Sequence, residues 1–371
     1  MAENKLNILY TASTDKHLLS FHRPYLCALR DHGHTVTAAA AGNGQGLPEG
    51  IAFLPVPFTK RMASLRNLRA ARMLRRAVRR GRIDVVLTHT SLAAFFTRLA
   101  LLGMRHRPRV VNTVHGYLFS EENPMPRHGL LLRAERLCAR VTDDIVTMNR
   151  EDENLAGKYA LCRGRLLFTN GMGLPEDRYV TFSPEEKAAA RQSLRLPPDA
   201  FVLLCAAEFS ERKNQQLLLR CLDKLPEDVY LLLPGNGALL EECRFLAERL
   251  YLTERVRFPG YTDNISPYLA AADVCVSGSR SEGLPFHALE AMASGLPCVL
   301  TAVKGHVDLL NGTGAGFLTP FEKSTEMAEK LLLLKNDPAL RAEMGENARR
   351  ESGKYALSRV MPKLLAVYEN K

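Results

Sequence analysis

The sequence has 371 residues, of which 46% are hydrophobic and 24% charged. This length and composition favour two or three globular domains and exclude a largely disordered chain. The formal net charge is +10, from 50 basic and 40 acidic residues, so negatively charged partners are favoured.

Neither a membrane span nor a secretory signal is predicted. No stretch offers the roughly 18 uninterrupted apolar residues of a span. The N-terminal MAENKLNILYTAS lacks the apolar run and the cleavage pattern of a signal peptide. The eight cysteines include no Cys-x-x-Cys pair, which favours buried free thiols over a disulfide or metal framework. We therefore expect a cytoplasmic protein.

In chain order, the first predicted elements are short apolar strands separated by helices. KLNILYTA has the pattern of a buried strand, FHRPYLCALRDHG that of a helix ended by Gly33, and HTVTAAA that of a second strand. Further strand patterns follow in IDVVLTHT, RVVNTVHG and DDIVTMN, with helical patterns between them. Such alternation predicts a parallel sheet covered on both faces.

Residues 60–82 interrupt this series with a strongly basic segment, KRMASLRNLRAARMLRRAVRRGR. It begins at Lys60, holds ten basic residues and no acidic one, and carries apolar residues at near-helical spacing. A basic amphipathic helix is therefore predicted. It is either a solvated surface or a site for anionic phospholipid or a lipid-linked pyrophosphate acceptor, and the absence of acids favours the membrane. Nucleic acid is not expected, because no interleaved aromatic residue offers a stacking platform.

The second half of the chain repeats the α/β plan. The alternation stops near residues 168–199, where Gly, Pro and charged residues prevail, and restarts with FVLLCAAE, VYLLLPG, VRFPG, DVCVSGS and LPCVLTA. The predicted fold class is α/β, with two Rossmann-like βαβ domains facing each other across a ligand cleft. We place the first domain at 1–168, a linker at 169–198, the second domain at 199–352, and a C-terminal helix that packs back on the first domain at 353–371.

The stretch SEGLPFHALEAMASG, which follows the strand pattern DVCVSGS, is the first candidate site. Backbone N–H groups at the start of a helix near Phe286 would bind an anion, and Gly283 would let a ligand approach closely. Glu290 could accept hydrogen bonds from vicinal ribose hydroxyls, and Glu282 would then face the group carried by the phosphate. On spacing alone, the simpler explanation is a solvated loop acid and an ordinary helix residue.

Two further stretches support a ligand site. In ERKNQQLLL, Lys213 and Asn214 follow a strand and open a helix, which is a common place to bind phosphate. In VNTVHGYLF, His115 and Gly116 end a strand of the first domain, where an imidazole can donate to a sugar hydroxyl or a phosphate oxygen. A surface lysine and a packed histidine are the simpler explanations for each taken alone, so it is their coincidence at one cleft that favours a site.

These stretches together resemble the retaining nucleotide-sugar glycosyltransferases of family 4, which have the GT-B fold, and in particular the members that build bacterial capsular polysaccharides and exopolysaccharides. The resemblance covers nearly the whole chain. It rests on FHRPYLCALRDHGHTV, TVHGYLF, VTMNRED, ERKNQ, SEGLPFHALEAMASGLPCVLT and KGHVDLLNGTGAGFL. The glutamate pair with its Gly-Leu-Pro surroundings is the specific part.

The resemblance implies donor-binding roles in the second domain. Glu290 corresponds to the glutamate that holds the ribose, and Glu282 to the one near the donor sugar. The backbone before Phe286 lies beside the sugar and phosphates, at Gly283, Leu284 and Pro285.

It also implies that Lys213, with Asn214 beside it, neutralises the donor pyrophosphate, and that His115 lies near the donor sugar and the acceptor. Many members carry an arginine a few residues before this lysine, whereas the present chain has Glu208 there. Arg212, another cation, or Lys213 alone would then supply the charge. Family members use no divalent metal and no Asp-x-Asp motif is evident, so no cofactor is expected.

The predicted activity is transfer of a hexosyl or N-acetylhexosaminyl group, with retained configuration, from a nucleotide-diphosphate donor such as a UDP-sugar to a hydroxyl of a carbohydrate acceptor. The basic segment favours a lipid-linked acceptor at the inner membrane face, in capsule, exopolysaccharide or other surface-glycan synthesis. Three alternatives remain open: a sugar-nucleotide epimerase of the same fold, a phosphorylase of this architecture, and a non-catalytic nucleotide- or nucleic-acid-binding protein.

Overall fold

The chain folds into two compact units. The computed structural model describes residues 5–59, 61–120 and 128–370, so Lys60, the first residue of the predicted basic helix, lies outside the described residues. Unit 1 comprises Met1–Gly173 with Ser358–Lys371, and unit 2 comprises Leu174–Leu357. Each unit has its own parallel sheet.

The sheet of unit 1 has seven strands in the order β3-β2-β1-β4-β5-β6-β7. The strands are β1 Asn7–Thr14, β2 Thr35–Ala41, β3 Ala52–Pro55, β4 Val85–Thr88, β5 Arg109–Val114, β6 Asp144–Thr147 and β7 Leu166–Phe168. All neighbouring strands are parallel, and every residue of β4 and β6 is buried, because helices cover both faces. The strand order reverses between β1 and β4, which is where such sheets form ligand crevices.

The helices of unit 1 follow the strands as the sequence pattern predicts. They are α1 Asp15–His17, the π-helical segment Leu18–His22, α2 Arg23–Asp31, α3 Leu65–Gly81, α4 Ser91–Leu101, α5 His128–Ala139 and α6 Arg150–Lys158. Helix α3 begins after Ser64, whose hydroxyl accepts a hydrogen bond from the Arg66 N–H, and it buries Ala70, Leu74 and Val78 in the core.

The sheet of unit 2 has six parallel strands in the order β10-β9-β8-β11-β12-β13. The strands are β8 Phe201–Leu204, β9 Val229–Leu232, β10 Val256–Arg257, β11 Val274–Ser277, β12 Cys298–Thr301 and β13 Gly316–Thr319. The helices are α7 Pro184–Ser193, α8 Gln215–Leu222, α9 Leu240–Arg249, α10 Ser266–Ala271, α11 Phe286–Ala293, α12 Lys304–Leu310, α13 Ser324–Asn336 and α14 Pro338–Ser352. Two 3-10 segments, Glu176–Arg178 and Gly353–Tyr355, lie near its ends. The α/β class and the two Rossmann-like units are thus confirmed.

Most of the predicted linker 169–198 belongs to unit 2. Helix α7 starts with a capping box, in which the Ser183 hydroxyl accepts from the Glu186 N–H and the Glu186 carboxylate accepts from the Ser183 N–H. Ala190 and Leu196 then join the core of unit 2. The sequence pattern hid this helix because Ala190 is its buried residue and most of its other positions are exposed.

The C-terminal helix α15, Leu357–Glu369, begins later than predicted at 353 and contributes to unit 1. The ring of Tyr368 packs edge-on against Tyr10 and Tyr25, and its backbone carbonyl accepts from Arg109. Among residues 5–59, 61–120 and 128–370, none of the helices combines the length and the hydropathy that crossing a lipid bilayer requires.

Candidate functional site

The glutamate-containing loop lies at the carboxyl edge of the unit 2 sheet. It connects the end of β11 at Ser277 to the start of α11 at Phe286. Strands β8 and β11 are neighbours, so the loop that follows β8 ends at the same edge. The N-cap residue of α11, Pro285, makes no side-chain cap, and the first turn of α11 has no acid, so the positive end of this helix is suited to an anion.

Glu282 is the electrostatic centre of this edge. Its side chain is 5% exposed, and its Oε1 lies 2.6 Å from the Lys213 Nζ in a charge contact rather than an aligned hydrogen bond. Its Oε2 accepts a hydrogen bond from the Arg212 Nη1 at 2.8 Å. Burial alone would raise the pKa of Glu282, but the charges of Lys213 and Arg212 outweigh it and lower the pKa to about 2. The carboxylate therefore stays ionised and holds two cations together.

The β8 loop brings those cations to Glu282. Asn214 adopts a left-handed conformation at φ 51°, which asparagine tolerates, and its amide donates to the Gly278 carbonyl at 3.1 Å. This hydrogen bond connects the loop that follows β8 to the loop that follows β11, so Asn214 stabilises the contact between the two loops. Arg212 is the cation that the sequence offered as a substitute for the missing arginine, and Glu208 in that place is exposed.

Glu290 lies one turn into α11 and faces a cation that the sequence did not reveal. Its Oε1 is 3.5 Å from the Nη1 of Arg178, in the 3-10 segment of the presumed linker. Burial raises the pKa of Glu290, and the charge of Arg178 partly opposes that rise. Leu284 and Phe286 are half-buried and pack against the core of unit 2, which holds the loop backbone in place.

A glycine and two histidines also shape this site without having been singled out by the sequence. A Cβ on Gly305 would lie 2.6 Å from the carbonyl oxygen of Gly283, so only glycine lets α12 approach the glutamate loop this closely. His306 donates from Nδ1 to the Thr301 carbonyl at 2.7 Å. The Nε2 atoms of His287 and His306 are buried and have no hydrogen-bond partner in the described part of the chain, which is typical of a ligand-binding region.

In unit 1, His115 follows β5 and belongs to a group of four histidines, here called the histidine cluster: His17, His22, His89 and His115. The His89 Nδ1 lies 3.2 Å from the His115 Nε2. Burial, helped by the neighbouring His17, lowers the pKa of His115 to about 3, so its imidazole is neutral at physiological pH. The structure thus brings Lys213, Glu282, Glu290 and the Gly-Leu-Pro loop together in unit 2, and it places His115 in unit 1.

Comparison with known proteins identifies the class. The family model described as Glycosyl transferases group 1 matches residues 186–351, and the one described as Glycosyltransferase Family 4 matches residues 26–166. The solved structure of Anabaena HepE in complex with UDP and glucose has a TM-score of 0.80 at 22% identity, covering 98% of this chain and 99% of that one. Together with the two Rossmann-like units, these matches define a glycosyltransferase of the GT-B fold.

Within that class, the chain belongs to the family 4 glycosyltransferases, which confirms the sequence resemblance. EpsD of Bacillus subtilis (strain 168), which is named as a glycosyltransferase, is 29% identical over 97% of this chain and 96% of its own length. The UDP-Gal:alpha-D-GlcNAc-diphosphoundecaprenol alpha-1,3-galactosyltransferase of Escherichia coli is 24% identical over 80% of this chain and 78% of its own.

Proposed function

We propose that this protein transfers a hexosyl or N-acetylhexosaminyl group from a UDP-sugar to a hydroxyl of a lipid-linked carbohydrate acceptor, with retention of configuration, in exopolysaccharide or other cell-surface glycan synthesis. The observation that carries the proposal is the convergence of Lys213 and Arg212 on buried Glu282, beside the start of α11. The likeness to the galactosyltransferase, which is named for a diphosphoundecaprenol-linked substrate, supports the acceptor class. The UDP bound to HepE supports the nucleotide.

Two cations and a helix start suit a diphosphate leaving group. As the bond between the sugar carbon and the phosphate oxygen breaks, negative charge grows on that oxygen, and Lys213, Arg212 and the first turn of α11 stabilise it. Without the donor, the Glu282 carboxylate neutralises the same cations, so the diphosphate must compete with it. The family resemblance assigns the ribose to Glu290 and the sugar to the backbone of Gly283.

The proposed chemistry needs neither a covalent enzyme intermediate nor a metal at the diphosphate. Glu282 is already committed to two cations, which makes its carboxylate a poor nucleophile. The leaving phosphate oxygen takes the proton of the acceptor hydroxyl on the same face of the sugar, so the configuration is retained. The resemblance places His115 near the donor sugar and the acceptor.

The test of the donor class is thermal unfolding with UDP, GDP and their sugars. A ligand at about 100 times its dissociation constant stabilises the native state by about 2.7 kcal/mol. We expect UDP to raise the melting temperature of the wild type and of Glu343→Ala, an exposed control on α14, but not of Glu290→Ala. Equal responses in all three proteins would contradict the site, and a response to GDP alone would contradict the nucleotide.

The lipid-linked acceptor is supported by the exposed face of α3. Arg66, Arg69 and Arg72 are exposed along it, and Leu65, 79% exposed, lies at its start with Leu68 also exposed. An exposed basic helix with apolar side chains at one end is suited to lie on an anionic bilayer surface. We therefore propose that the enzyme binds the membrane peripherally through this helix.

A further inference from the structure

The histidine cluster of unit 1 concentrates metal-ligating groups that the proposed transfer does not use, apart from His115. His17 ends α1 and His22 ends the π-helical segment, both shortly after β1, while His89 and His115 directly follow β4 and β5. Strands β1, β4 and β5 are neighbours in the sheet, so all four imidazoles meet at its carboxyl edge. His17 and His22 are close in the sequence, but His89 and His115 are distant from them, and the sheet order brings these residues to the first two.

Three of the imidazoles have the spacing of a metal site. One ring nitrogen each of His17, His22 and His115 lies within 4.8 Å of the others. The ring centroids are 5.0 Å apart for His17 and His22, and 5.5 Å apart for His22 and His115. Zinc–nitrogen bonds of about 2.0–2.1 Å place tetrahedral ligands roughly 3.4 Å apart. Binding would therefore draw the ring nitrogens up to about 1.4 Å closer together. The partial exposure of His17 and His115 gives an ion access.

The cluster also has unsatisfied nitrogens. The Nε2 atoms of His17, His22 and His89 are buried and have no hydrogen-bond partner among the residues that the structure describes. Buried polar atoms normally have a hydrogen-bond partner, so the three unpaired nitrogens favour a bound ligand.

Neighbouring groups orient the rings as metal sites require. The Tyr10 hydroxyl lies 2.9 Å from the His22 Nδ1, which leaves the Nε2 of that ring for an ion. His89 holds His115 through the contact between their nitrogens and stacks on the Tyr10 ring at 4.5 Å. Such outer contacts fix ring orientation and raise metal affinity.

We propose that His17, His22 and His115 bind one divalent transition-metal ion, with zinc the best fit, and leave a fourth position for water or a hydroxyl group. Imidazole nitrogen suits zinc and its late first-row neighbours, and three histidines with an open position form a recurrent zinc arrangement. The site consists of unit 1 residues and shares none with the diphosphate site of unit 2. It does not depend on the proposed function.

A second group offers an internal comparison. His32, His34 and Glu369 also have ligand atoms within 4.8 Å of one another. There the carboxylate already contacts both imidazoles, at 2.5 Å and 3.2 Å, so its charge is engaged in holding α15. The double variant His32→Gln/His34→Gln is therefore the matched control for the histidine cluster.

The experiment titrates the full chain, freed of metal by chelator and dialysis, with Co²⁺ and follows the visible d–d absorption of tetrahedral cobalt. Competition with Zn²⁺ gives the zinc affinity. We expect the wild type and the His32→Gln/His34→Gln control to bind one ion, and His17→Gln to bind at least about tenfold more weakly. Tyr10→Phe, which keeps every ligand, should weaken binding by about 10–100-fold.

Folding is checked by circular dichroism and melting temperature for each variant. Replacing the fully buried His22 could disturb folding, so the proposal is tested with the variant of the partly exposed His17. Absence of a tetrahedral cobalt spectrum in the wild type would overturn the proposal. So would wild-type affinity in His17→Gln, or loss of binding only in the His32→Gln/His34→Gln control. UDP binding, measured on the same samples, reports separately on the unit 2 site.

Discussion

Replacing Glu282 with glutamine tests the electrostatic account of the unit 2 site. The carboxylate of Glu282 has its pKa lowered from an ordinary 4.5 to about 2, mainly by Lys213 and Arg212 against the cost of burial. A depressed carboxylate pKa stabilises the fold above the unfolded value and loses that contribution as the pH falls through the folded value. At 1.36 kcal/mol per unit, the contribution at neutral pH is about 3 kcal/mol.

We expect the free energy of unfolding of Glu282→Gln to be lower than that of the wild type by up to about 3 kcal/mol at neutral pH, since the buried Lys213 and the exposed Arg212 lose their partner. More than half of this difference in unfolding free energy should vanish by about pH 3. At that pH, protonation of the carboxylate removes most of its contribution to the stability of the wild type. Urea unfolding across this pH range measures it, with Glu343→Gln as the exposed control.

The same variant should keep or improve its affinity for UDP, because the neutral amide no longer competes with the diphosphate for Lys213 and Arg212. Isothermal titration calorimetry measures this. A stability difference that does not change with pH would refute the electrostatic reasoning. UDP binding weakened to the level of Lys213→Ala would refute the competition between Glu282 and the diphosphate.

Three further predictions concern cations, two of them in the unit 2 site and the third on α3 of unit 1. Lys213→Ala should lower the transfer rate by about 10²–10³-fold, as loss of one charge-stabilising donor does, with less effect on donor KM. Arg178→Ala should raise the KM for the donor, because Glu290 loses its orienting cation, while kcat changes little. Arg66→Glu/Arg69→Glu on α3 should reduce flotation with anionic vesicles, since each basic residue near such a surface contributes about 1 kcal/mol.

Matched controls separate these effects from misfolding. Lys213→Arg keeps the charge and should retain more activity than Lys213→Ala. The double variant Arg220→Glu/Arg249→Glu is the charge-matched control for the vesicle experiment, because both arginines are exposed in unit 2. Equal flotation of both reversals, or equal flotation of the wild type with neutral and anionic lipid, would contradict membrane binding by α3. An unchanged KM for the donor in Arg178→Ala would contradict a role of Arg178 in donor binding.

The glutamate loop was predictable because its signals are local. A buried strand, a Gly-Leu-Pro turn and an apolar helix follow one another within residues 274–295, and each has its own sequence pattern. The structure keeps all three, as β11, the loop and α11. Such local agreement between pattern and propensity makes element type easy to predict from sequence.

Contacts between distant segments were not predictable. Arg178 lies in a stretch interpreted as linker, and only folding brings it to Glu290. The histidine cluster depends on β1, β4 and β5 being adjacent, which the pattern of each strand does not encode. Helix α7 was missed for a different reason: most of its positions are exposed, and Ala190 is the buried residue that joins it to the core.

The most direct test of the central claim is acceptor-dependent release of UDP. Wild type, Lys213→Ala and Glu343→Ala would be incubated with UDP-glucose, UDP-galactose or UDP-N-acetylglucosamine, with and without a GlcNAc-diphosphoundecaprenol acceptor. The account predicts that one donor gives UDP release and an α-linked product only when acceptor is present, at full rate in Glu343→Ala and at least about a hundredfold slower in Lys213→Ala. Equal rates in Lys213→Ala and the wild type, or a product of inverted configuration, would contradict it.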